Sequence, residues 1–294
     1  MADVVAYQGE PGAYSEEASH RLFPGAELEP MRTLHQVFDR VASGFVRAGV
    51  VPLENSQAGS INETYDLLAK GTVHIVGEAV TRVDHALLAL PGIPLQYVKR
   101  VASHPAALAQ CQEFLGTLDE DVEIVPVYDT AGAAKRIAEE KRAGEAAVAS
   151  ERAAQVYGLE VLAARIQDTP DNFTRFAAVA VEDAPLGRPD KTSLVLITDH
   201  RPGALFHALR PFADRGVNLV KLESRPSGSG PWKYRFYLDV EAGAHEPAFR
   251  AALADLRTEA AAVQVLGSYA RWNEESAGDG EGRTDAWTTE TRSE

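Results

Sequence analysis

Residues 4–23 read Val-Val-Ala-Tyr-Gln-Gly-Glu-Pro-Gly-Ala-Tyr-Ser-Glu-Glu-Ala-Ser-His-Arg-Leu-Phe. An apolar run of strand length, Val4 to Tyr7, leads through a glycine-containing turn into a segment of helical period from Tyr14 to Phe23. A strand followed directly by a helix is the repeating unit of α/β folds. This stretch therefore predicts an α/β domain.

The alternation of strands and helices continues along the chain. Apolar runs near Leu28 and at residues 48–51, 73–76, 86–90, 98–102, 122–127 and 146–149 predict further strands, with helices between most of them. Two predicted helix starts carry a capping box, a hydroxyl residue followed three positions later by Glu or Gln: Thr33 with Gln36, and Ser60 with Glu63.

Composition limits the class of protein. A chain of 294 residues, 45% hydrophobic and without a long apolar run, predicts a soluble globular protein of two domains. The net charge of −14 argues against nucleic-acid and anionic-membrane partners. A single cysteine, Cys111, excludes an internal disulfide and a thiolate metal cluster, and its apolar neighbours predict burial. The chain opens on a strand rather than an export signal, which predicts a cytoplasmic location.

The pattern breaks at residues 182–190, where Pro, Gly and charged residues predict a linker. Strands are then predicted at 192–198, 217–222, 233–240 and 263–269, and helices at 204–214 and 246–256. The order βαββαβ is that of a ferredoxin-like domain, predicted here to span residues 191–272. Residues 273–294 are polar and acidic, which predicts a disordered tail.

A hydroxyl and a guanidinium stand side by side where a loop enters the strand that begins at Phe176. Thr174 could donate a hydrogen bond to a leaving group, and the planar fork of Arg175 matches a carboxylate. Thr-Arg-Phe is a common tripeptide, so for the tripeptide alone a strand start with one exposed arginine is the better explanation.

Polar residues also follow the strand that ends near Val51. Glu54, Asn55 and Ser56 combine a carboxylate, an amide and a hydroxyl in a loop whose Gly59 allows close backbone approach. A turn would explain Asn55 and Ser56, whose side chains bond local backbone, but not Glu54 beside them. Because open α/β sheets bind ligands at strand ends, we interpret the segment as part of a site.

Two helix starts complete the candidate site. Ser103 stands at a predicted cap, with Gln110 two turns later on the same face, and a helix start offers free N–H groups to an anion. His104 is a binding candidate, although a histidine there is more often a cap or a surface group. Ser15 could hold an anion at the first helix. The sequence shows no dinucleotide or P-loop glycine pattern, no zinc-ligand spacing and no nucleophile elbow.

Five blocks resemble, in order, those of the prephenate dehydratase family: residues 9–15, 52–60, 103–111, 147–150 and 172–176. The second domain resembles the ACT regulatory domain, in which residues 202–205 and 223–226 match two phenylalanine-binding motifs. Ala106 departs from the family, since many members carry Gln after His-Pro, and Phe173 adds bulk beside Thr174.

The resemblance implies a periplasmic-binding-protein-like catalytic domain over residues 1–185, with one lobe at about 1–75 and 170–185 and another at 76–169. Prephenate would be closed between the lobes and would lose carbon dioxide and water, giving phenylpyruvate for phenylalanine biosynthesis without cofactor or metal. Thr174 would donate to the departing hydroxyl, with Glu54 or water as a relay. Asn55, Ser103 and Gln110 would orient the substrate, and Arg175, Ser15, Ser56, His104 and Phe176 would bind it.

The ACT resemblance further implies feedback by phenylalanine, bound where two such domains of a homo-oligomer, a dimer or a tetramer, meet. The implied residues are Gly203, Ala204, Leu205, Asn218, Glu223 and Ser224. Two alternatives remain open. One is an arogenate dehydratase, whose substrate carries an amino group in place of the keto oxygen. The other is a non-catalytic binding domain fused to an amino-acid sensor.

Overall fold

The computed structural model describes residues 3–226 and 234–273. Its strands are β1 (Val4–Gln8), β2 (Glu27–Met31), β3 (Ala48–Asn55), β4 (Gly59–Ser60), β5 (His74–Arg82), β6 (Ala86–Ala89), β7 (Arg100–Ser103), β8 (Glu123–Pro126), β9 (Glu145–Ala149), β10 (Glu160–Ala163), β11 (Phe173–Ala180), β12 (Lys191–Ile197), β13 (Leu219–Pro226), β14 (Tyr234–Val240) and β15 (Ala262–Tyr269). Its helices are α1 (Tyr14–Leu22), α2 (Leu34–Ala42), α3 (Asn62–Leu68), α4 (Pro105–Ala109), α5 (Gln112–Leu115), α6 (Thr130–Glu140), α7 (Glu151–Tyr157), α8 (Ala204–Ala213) and α9 (Pro247–Glu259).

The first sheet has the strand order β2-β1-β3-β11-β5, with β4 paired on β3. Strand β1 is parallel to β2 and β3, whereas β11 is antiparallel to both β3 and β5. The second sheet has the order β10-β6-β9-β7-β8. Since the chain builds this second sheet between β5 and β11, the first lobe is closed by a strand from late in the domain. The predicted two-lobed α/β architecture is confirmed.

The boundary between the lobes differs from the expectation of residue 75. Strand β5 continues in the first sheet to Arg82, so the chain crosses to the second lobe at residues 83–85. The apolar run at 73–76 marks only the first half of this strand. Glu78, Thr81 and Arg82 interrupt the apolar pattern in the second half.

One of the two predicted helix caps is correct. Thr33 forms the capping box of α2 with Gln36. Ser60 does not cap α3, because it lies in β4 and the helix begins after Ile61 without a side-chain cap. The hydroxyl of Ser60 instead donates a hydrogen bond to Glu223 of the C-terminal domain. A polar contact between domains therefore replaces the local cap.

The C-terminal domain has the predicted βαββαβ order. Its four strands form an antiparallel sheet in the order β13-β14-β12-β15, and α8 and α9 pack on one face through Phe212 and Phe249. Of the predicted disordered tail, residues 274–294 lie outside the described residues. None of the described helices is long and apolar enough to cross a bilayer.

The other face of this sheet packs against the first lobe. Val195, Tyr237 and Leu266 belong to the same buried cluster as Leu53 and Ile75 of the first sheet. Strand β15 crosses β5 so closely that a Cβ on Gly267 would lie 2.0 Å from the carbonyl oxygen of Ile75. The C-terminal domain and the first lobe therefore share one hydrophobic core.

Candidate active site

A cavity of about 630 Å³ lies between the two lobes. The first lobe contributes Tyr14, Ser15, Asn55, Thr174 and Phe176 to its wall, the second contributes His104, Gln110, Tyr128 and Asp129, and His85 lies at the crossover between them. Most of these residues follow a strand or begin a helix, as expected for a site in an open α/β fold. The cavity therefore joins most of the predicted site residues.

Thr174 faces this cavity from the middle of the first sheet. It lies opposite Asn55 on β3 and opposite Thr81 on β5, and residues paired in this way point to the same face of a sheet. Its Oγ1 accepts a hydrogen bond from Nδ2 of Asn55 at 2.9 Å. Within the described part of the chain no group accepts the hydroxyl hydrogen. The hydroxyl is thus available as a donor toward the cavity.

An amide network holds this hydroxyl in place. Nδ2 of Asn55 also donates to Oδ1 of Asn172 at 2.7 Å. Gln110, at the end of α4 in the second lobe, donates from Nε2 to Oδ1 of Asn55 at 3.2 Å. Nδ2 of Asn172 donates to Oε1 of Gln110 at 3.0 Å. The three amides therefore connect the lobes directly beside Thr174.

Several residues of the site were not singled out from the sequence, among them Tyr14, His85 and Asn172. Tyr14 and Asn172 lie within blocks that carry the family resemblance, so their position was a signal. His85 belongs to none of those blocks. It is 2% exposed, its Nε2 lies 3.0 Å from Oε1 of Gln110, and its Nδ1 lies 3.2 Å from the hydroxyl of Tyr14. Burial lowers its pKa, against the opposite effects of Gln110 and Asp84.

Arg175 and Glu54 do not lie in the cavity, contrary to expectation. Successive strand residues point to opposite faces, so Arg175 and Glu54 face away from the side that carries Thr174 and Asn55. The guanidinium of Arg175 lies 3.1 Å from Glu54, 3.2 Å from Glu78 and 2.8 Å from Asp239 of the C-terminal domain. Arg175 therefore bridges two domains, and Glu54 has no path to relay a proton to Thr174.

Ser103 and Ser56 also have structural partners. The hydroxyl of Ser103 is buried and donates to the carbonyl oxygen of Val148 at 2.5 Å, which ties β7 to β9. Ser56 accepts from the backbone N–H of Phe173 at 2.9 Å and thereby fixes the start of β11. Neither serine lines the cavity. The predicted substrate contacts of both serines are replaced by backbone contacts.

Ser15, His104 and Phe176 do line the cavity. Ser15 donates to the carbonyl oxygen of Gln8, so its hydroxyl hydrogen is occupied. His104, rather than Ser103, caps α4, because its Nδ1 accepts from the backbone N–H of Ala106 at 3.2 Å. The pKa of His104 lies below its usual value, because burial lowers it more than the negative charge of Asp129 raises it. Phe176 supplies apolar wall.

No lysine or arginine is among the described residues that line the cavity. Positive potential comes instead from one helix start: α1 has no side-chain cap at Ala13, whereas the first turn of α6 is capped by the carboxylate of Asp129, which accepts from the backbone N–H of Gly132 at 2.9 Å. Arg32 lies at the rim, 5.5 Å from the ring centre of Tyr128, and lines an adjoining cavity of about 300 Å³. Among the described residues no carboxylate pairs with Arg32.

The C-terminal domain has a cavity of its own, of about 380 Å³. Gly203, Ala204 and Leu205, three of the six residues implied for an effector site, line it. The other three implied residues, Asn218, Glu223 and Ser224, do not line this cavity. Asn218 donates to Glu241 at 2.8 Å, and Glu223 accepts from Ser60 of the first lobe. Ser224 is exposed on β13. Within residues 3–226 and 234–273, no group of three or more His, Cys, Asp and Glu could hold a metal ion.

A model of the prephenate dehydratase family matches residues 5–184, and a model of the ACT domain matches residues 192–258. The chain is 45% identical over 276 residues to arogenate dehydratase/prephenate dehydratase 2, chloroplastic, of Arabidopsis thaliana, and the alignment covers 90% of this chain and 72% of that protein.

Two solved structures resemble the whole chain. The prephenate dehydratase of Arthrobacter aurescens in complex with L-Phe is 36% identical, with a TM-score of 0.83 and coverage of 91% of this chain and 90% of that one. GqqA, described as a novel type of quorum quenching acylase, is 35% identical, with a TM-score of 0.81 and coverage of 92% and 98%.

Proposed function

The chain belongs to the prephenate dehydratase family and carries an ACT domain, and on that premise we propose how its cavity dehydrates prephenate. In this reaction the bond between the ring and its carboxylate breaks and its electron pair enters the ring. The bond to the ring hydroxyl breaks at the opposite carbon, and the hydroxide takes a proton to become water. The observation that carries the proposal is the hydroxyl of Thr174, which faces the cavity with its hydrogen unoccupied.

Thr174 assists the departure of the ring hydroxyl. Because Nδ2 of Asn55 donates to its oxygen, the hydrogen of Thr174 must point elsewhere, and the cavity is the open direction. A threonine hydroxyl is a poor acid, so its part is a hydrogen bond that strengthens as charge develops on the leaving oxygen. Water supplies the proton. This assignment needs no relay through Glu54.

The side-chain carboxylate of prephenate binds near the start of α1, which has no side-chain cap. Free N–H groups in the first turn of a helix and the helix dipole attract an anion. Arg32 adds positive charge at the rim. The carboxylate that leaves as carbon dioxide lies against apolar wall such as Leu34, Ile61 and Phe176. A charge is poorly solvated there, and decarboxylation removes it.

Prephenate rather than arogenate is the substrate that this cavity favours. The ammonium group of arogenate needs an acidic partner. Of the described carboxylates at the cavity, Glu63 lies 3.0 Å from Nδ1 of His35, and Asp129 accepts from the backbone N–H groups of Gly132 and Glu10. Both are already engaged, whereas the keto group of prephenate requires no such partner.

Phenylalanine binds the ACT domain and inhibits the reaction, with the cavity at Gly203, Ala204 and Leu205 as its site. Strand β13, which carries the Glu-Ser-Arg-Pro motif, supplies a link to the catalytic lobe. Its Lys221 donates to Glu54 at 3.1 Å, next to Asn55, and its Arg225 donates to Asp66 at 3.1 Å. Inhibition requires tighter binding of phenylalanine to the less active arrangement.

A homo-oligomer and a cytoplasmic location are further parts of the proposal. Strand β13 is an edge strand, and its Val220 and Leu222 have half-exposed apolar side chains, which suits pairing with a second copy of the chain.

Acyl transfer, as in the name of one similar structure, would need a nucleophile bonded to a base. Neither Ser15 nor Thr174 has such a partner among the described residues, so no observation favours that activity.

The decisive assay follows phenylpyruvate formed from prephenate at neutral pH by wild-type protein and by T174A and T174S. T174A should lower kcat by roughly a hundred- to ten-thousand-fold, the usual worth of a positioned donor, with little change in KM. T174S keeps the hydroxyl and should retain much of the rate.

T117A, which removes an exposed hydroxyl bonded to the carbonyl oxygen of Phe114, is the matched control. Wild-type turnover should fall when phenylalanine is added. Full activity of T174A with normal folding would remove Thr174 from the mechanism. Binding of prephenate without turnover by the wild type would instead support the sensor, and faster turnover of arogenate would reverse the substrate assignment.

A further inference from the structure

The orientation of the Asn55 amide follows from backbone groups whose chemistry is unambiguous. The N–H groups of Gln57 and Ala58 lie 3.0 Å and 2.9 Å from Oδ1 of Asn55, and an N–H can only donate. On the other side, the carbonyl oxygen of Phe173 lies 3.1 Å from Nδ2, and a carbonyl can only accept. Oxygen and nitrogen of Asn55 are therefore fixed, and Nδ2 faces Thr174.

This orientation propagates to Gln110. The group of Gln110 that lies 3.2 Å from Oδ1 of Asn55 must be its nitrogen, because two oxygens there would repel. Its oxygen consequently faces the other way and accepts from Nδ2 of Asn172 at 3.0 Å. Nε2 of His85 lies 3.0 Å from the same oxygen, so it must carry a hydrogen.

The other ring nitrogen of His85 faces a hydroxyl. Oη of Tyr14 lies 3.2 Å from Nδ1 and 2.6 Å from the carbonyl oxygen of Asp84. Burial favours the uncharged ring, so Nδ1 is without a hydrogen and the hydroxyl hydrogen of Tyr14 lies between two acceptors. The structure thus defines one tautomer of His85.

We propose that His85 is a positioning residue for the dehydration, acting from the crossover between the lobes. Its Nε2–H fixes the side chain of Gln110, Gln110 supports the amide of Asn55, and Asn55 directs the hydroxyl of Thr174 into the cavity. The inference rests on the proposed function of Thr174. Without the Nε2 donor, the oxygen of Gln110 keeps only Nδ2 of Asn172 as a partner, and the amide contact that joins the lobes beside Thr174 is weakened.

The tautomer can be measured without any assay of activity. Long-range ¹H–¹⁵N correlation spectra of the full chain labelled with ¹⁵N-histidine distinguish protonated from unprotonated ring nitrogens, and the signal absent from H85Q identifies His85. At neutral pH we expect hydrogen on Nε2 and none on Nδ1. Hydrogen on Nδ1 alone, or on both nitrogens, would overturn the inference even if the enzyme is active.

Two substitutions test the consequence for catalysis. In H85Q the amide nitrogen occupies the place of Nε2 and can still donate to Gln110. In H85N the amide nitrogen occupies the place of Nδ1 and cannot reach Gln110. H85N should lower kcat by about tenfold with KM little changed, the effect of losing one of two donors to a buried acceptor, and H85Q should restore most of that loss.

Equal losses in H85Q and H85N, or a change in KM alone, would show that the ring only fills space. Thermal unfolding of both variants shows whether each is folded; if H85N is not, the tautomer measured in the wild type still decides the inference. A wild-type chain that never turns over prephenate would refute the proposed function and leave the tautomer result intact.

Discussion

Arg175 is held by carboxylates of two domains. Glu78 and Asp239, each with a side chain 4% exposed, lie beside it, and Lys191 lies 2.8 Å from Glu78. Burial disfavours the charged form of Asp239, but the positive charges of Arg175 and Lys191 outweigh it, so the pKa of Asp239 lies below its usual value. The charged form of Asp239 therefore depends on Arg175 and Lys191.

Replacing Arg175 by methionine should destabilise the fold by roughly 3–5 kcal/mol, since it leaves buried carboxylates with too little positive charge. Urea unfolding measures this loss. R100M is the matched control, because Arg100 pairs with Glu123 and Glu145 in a more exposed setting, and little change is expected. If R175M kept the stability of the wild type and only raised KM, the guanidinium would act on substrate after all.

The same cluster predicts a dependence on acid. A carboxyl whose pKa is lowered by folding stabilises the native state above the ordinary value for aspartate, about 3.9, and this contribution is lost as the pH falls through the lowered value. In R175M the pKa of Asp239 should rise toward or above the ordinary value. Acid unfolding followed by circular dichroism should therefore begin at higher pH in R175M than in the wild type.

For individual residues, the sequence predicted which residue types form the site better than it predicted the direction in which each side chain points. Thr174, Asn55 and Gln110 do line the cavity, and each lies near one end of a strand or helix, where sequence patterns are informative. Arg175 and Glu54 were assigned to the same pocket as their neighbours, although alternation along a strand separates adjacent side chains. His85 could not be found, since its partners come from Tyr14 and Gln110, both distant in sequence.

Among the elements, β15 and β5 approach each other closely where the two domains meet. Gly267 allows it, because a Cβ there would also lie 2.7 Å from the backbone nitrogen of Ile75. These neighbours are backbone atoms, which cannot move aside as the end of a flexible side chain can. The sequence predicted β15 as a strand but gave no indication that its glycine is a contact point, because the contact depends on tertiary packing.

G267A should consequently separate the two strands and lower the unfolding temperature by several degrees, as overpacking by about 1–3 kcal/mol does. Differential scanning calorimetry measures the shift. G116A is the control: Gly116 has ordinary helical backbone angles, and its nearest neighbour to an added Cβ is the oxygen of Gln112 at 3.2 Å. An unfolding temperature equal to that of G116A would contradict the close crossing.

For the whole molecule, the shared core decides how the domains depend on one another. The sequence predicted both folds, because strand and helix periods are local, and it predicted a linker at 182–190. It did not predict that the ACT sheet covers one face of the catalytic sheet. Deleting residues 191–294 would uncover apolar side chains of the first lobe, among them Leu53 and Ile75.

Such a truncated chain should therefore be aggregation-prone and should lose activity together with regulation. Size-exclusion chromatography and thermal unfolding of the truncated and full-length chains provide the comparison. In the full chain, unfolding of the first lobe and of the ACT domain should coincide in one transition. A truncated form that stays monomeric and active but insensitive to phenylalanine would show that the ACT domain is dispensable for the core.

The position of β11 between β3 and β5 also sets an order for biosynthesis. While the ribosome extends the chain through the second lobe, β3 and β5 are both present and neither has its shared neighbour. Their unpaired edges can join other nascent chains. The strand that closes this gap also carries Thr174, so the hydroxyl proposed to assist the reaction arrives with the segment that completes the sheet. Demand for chaperones should be greatest before residue 180 leaves the exit tunnel.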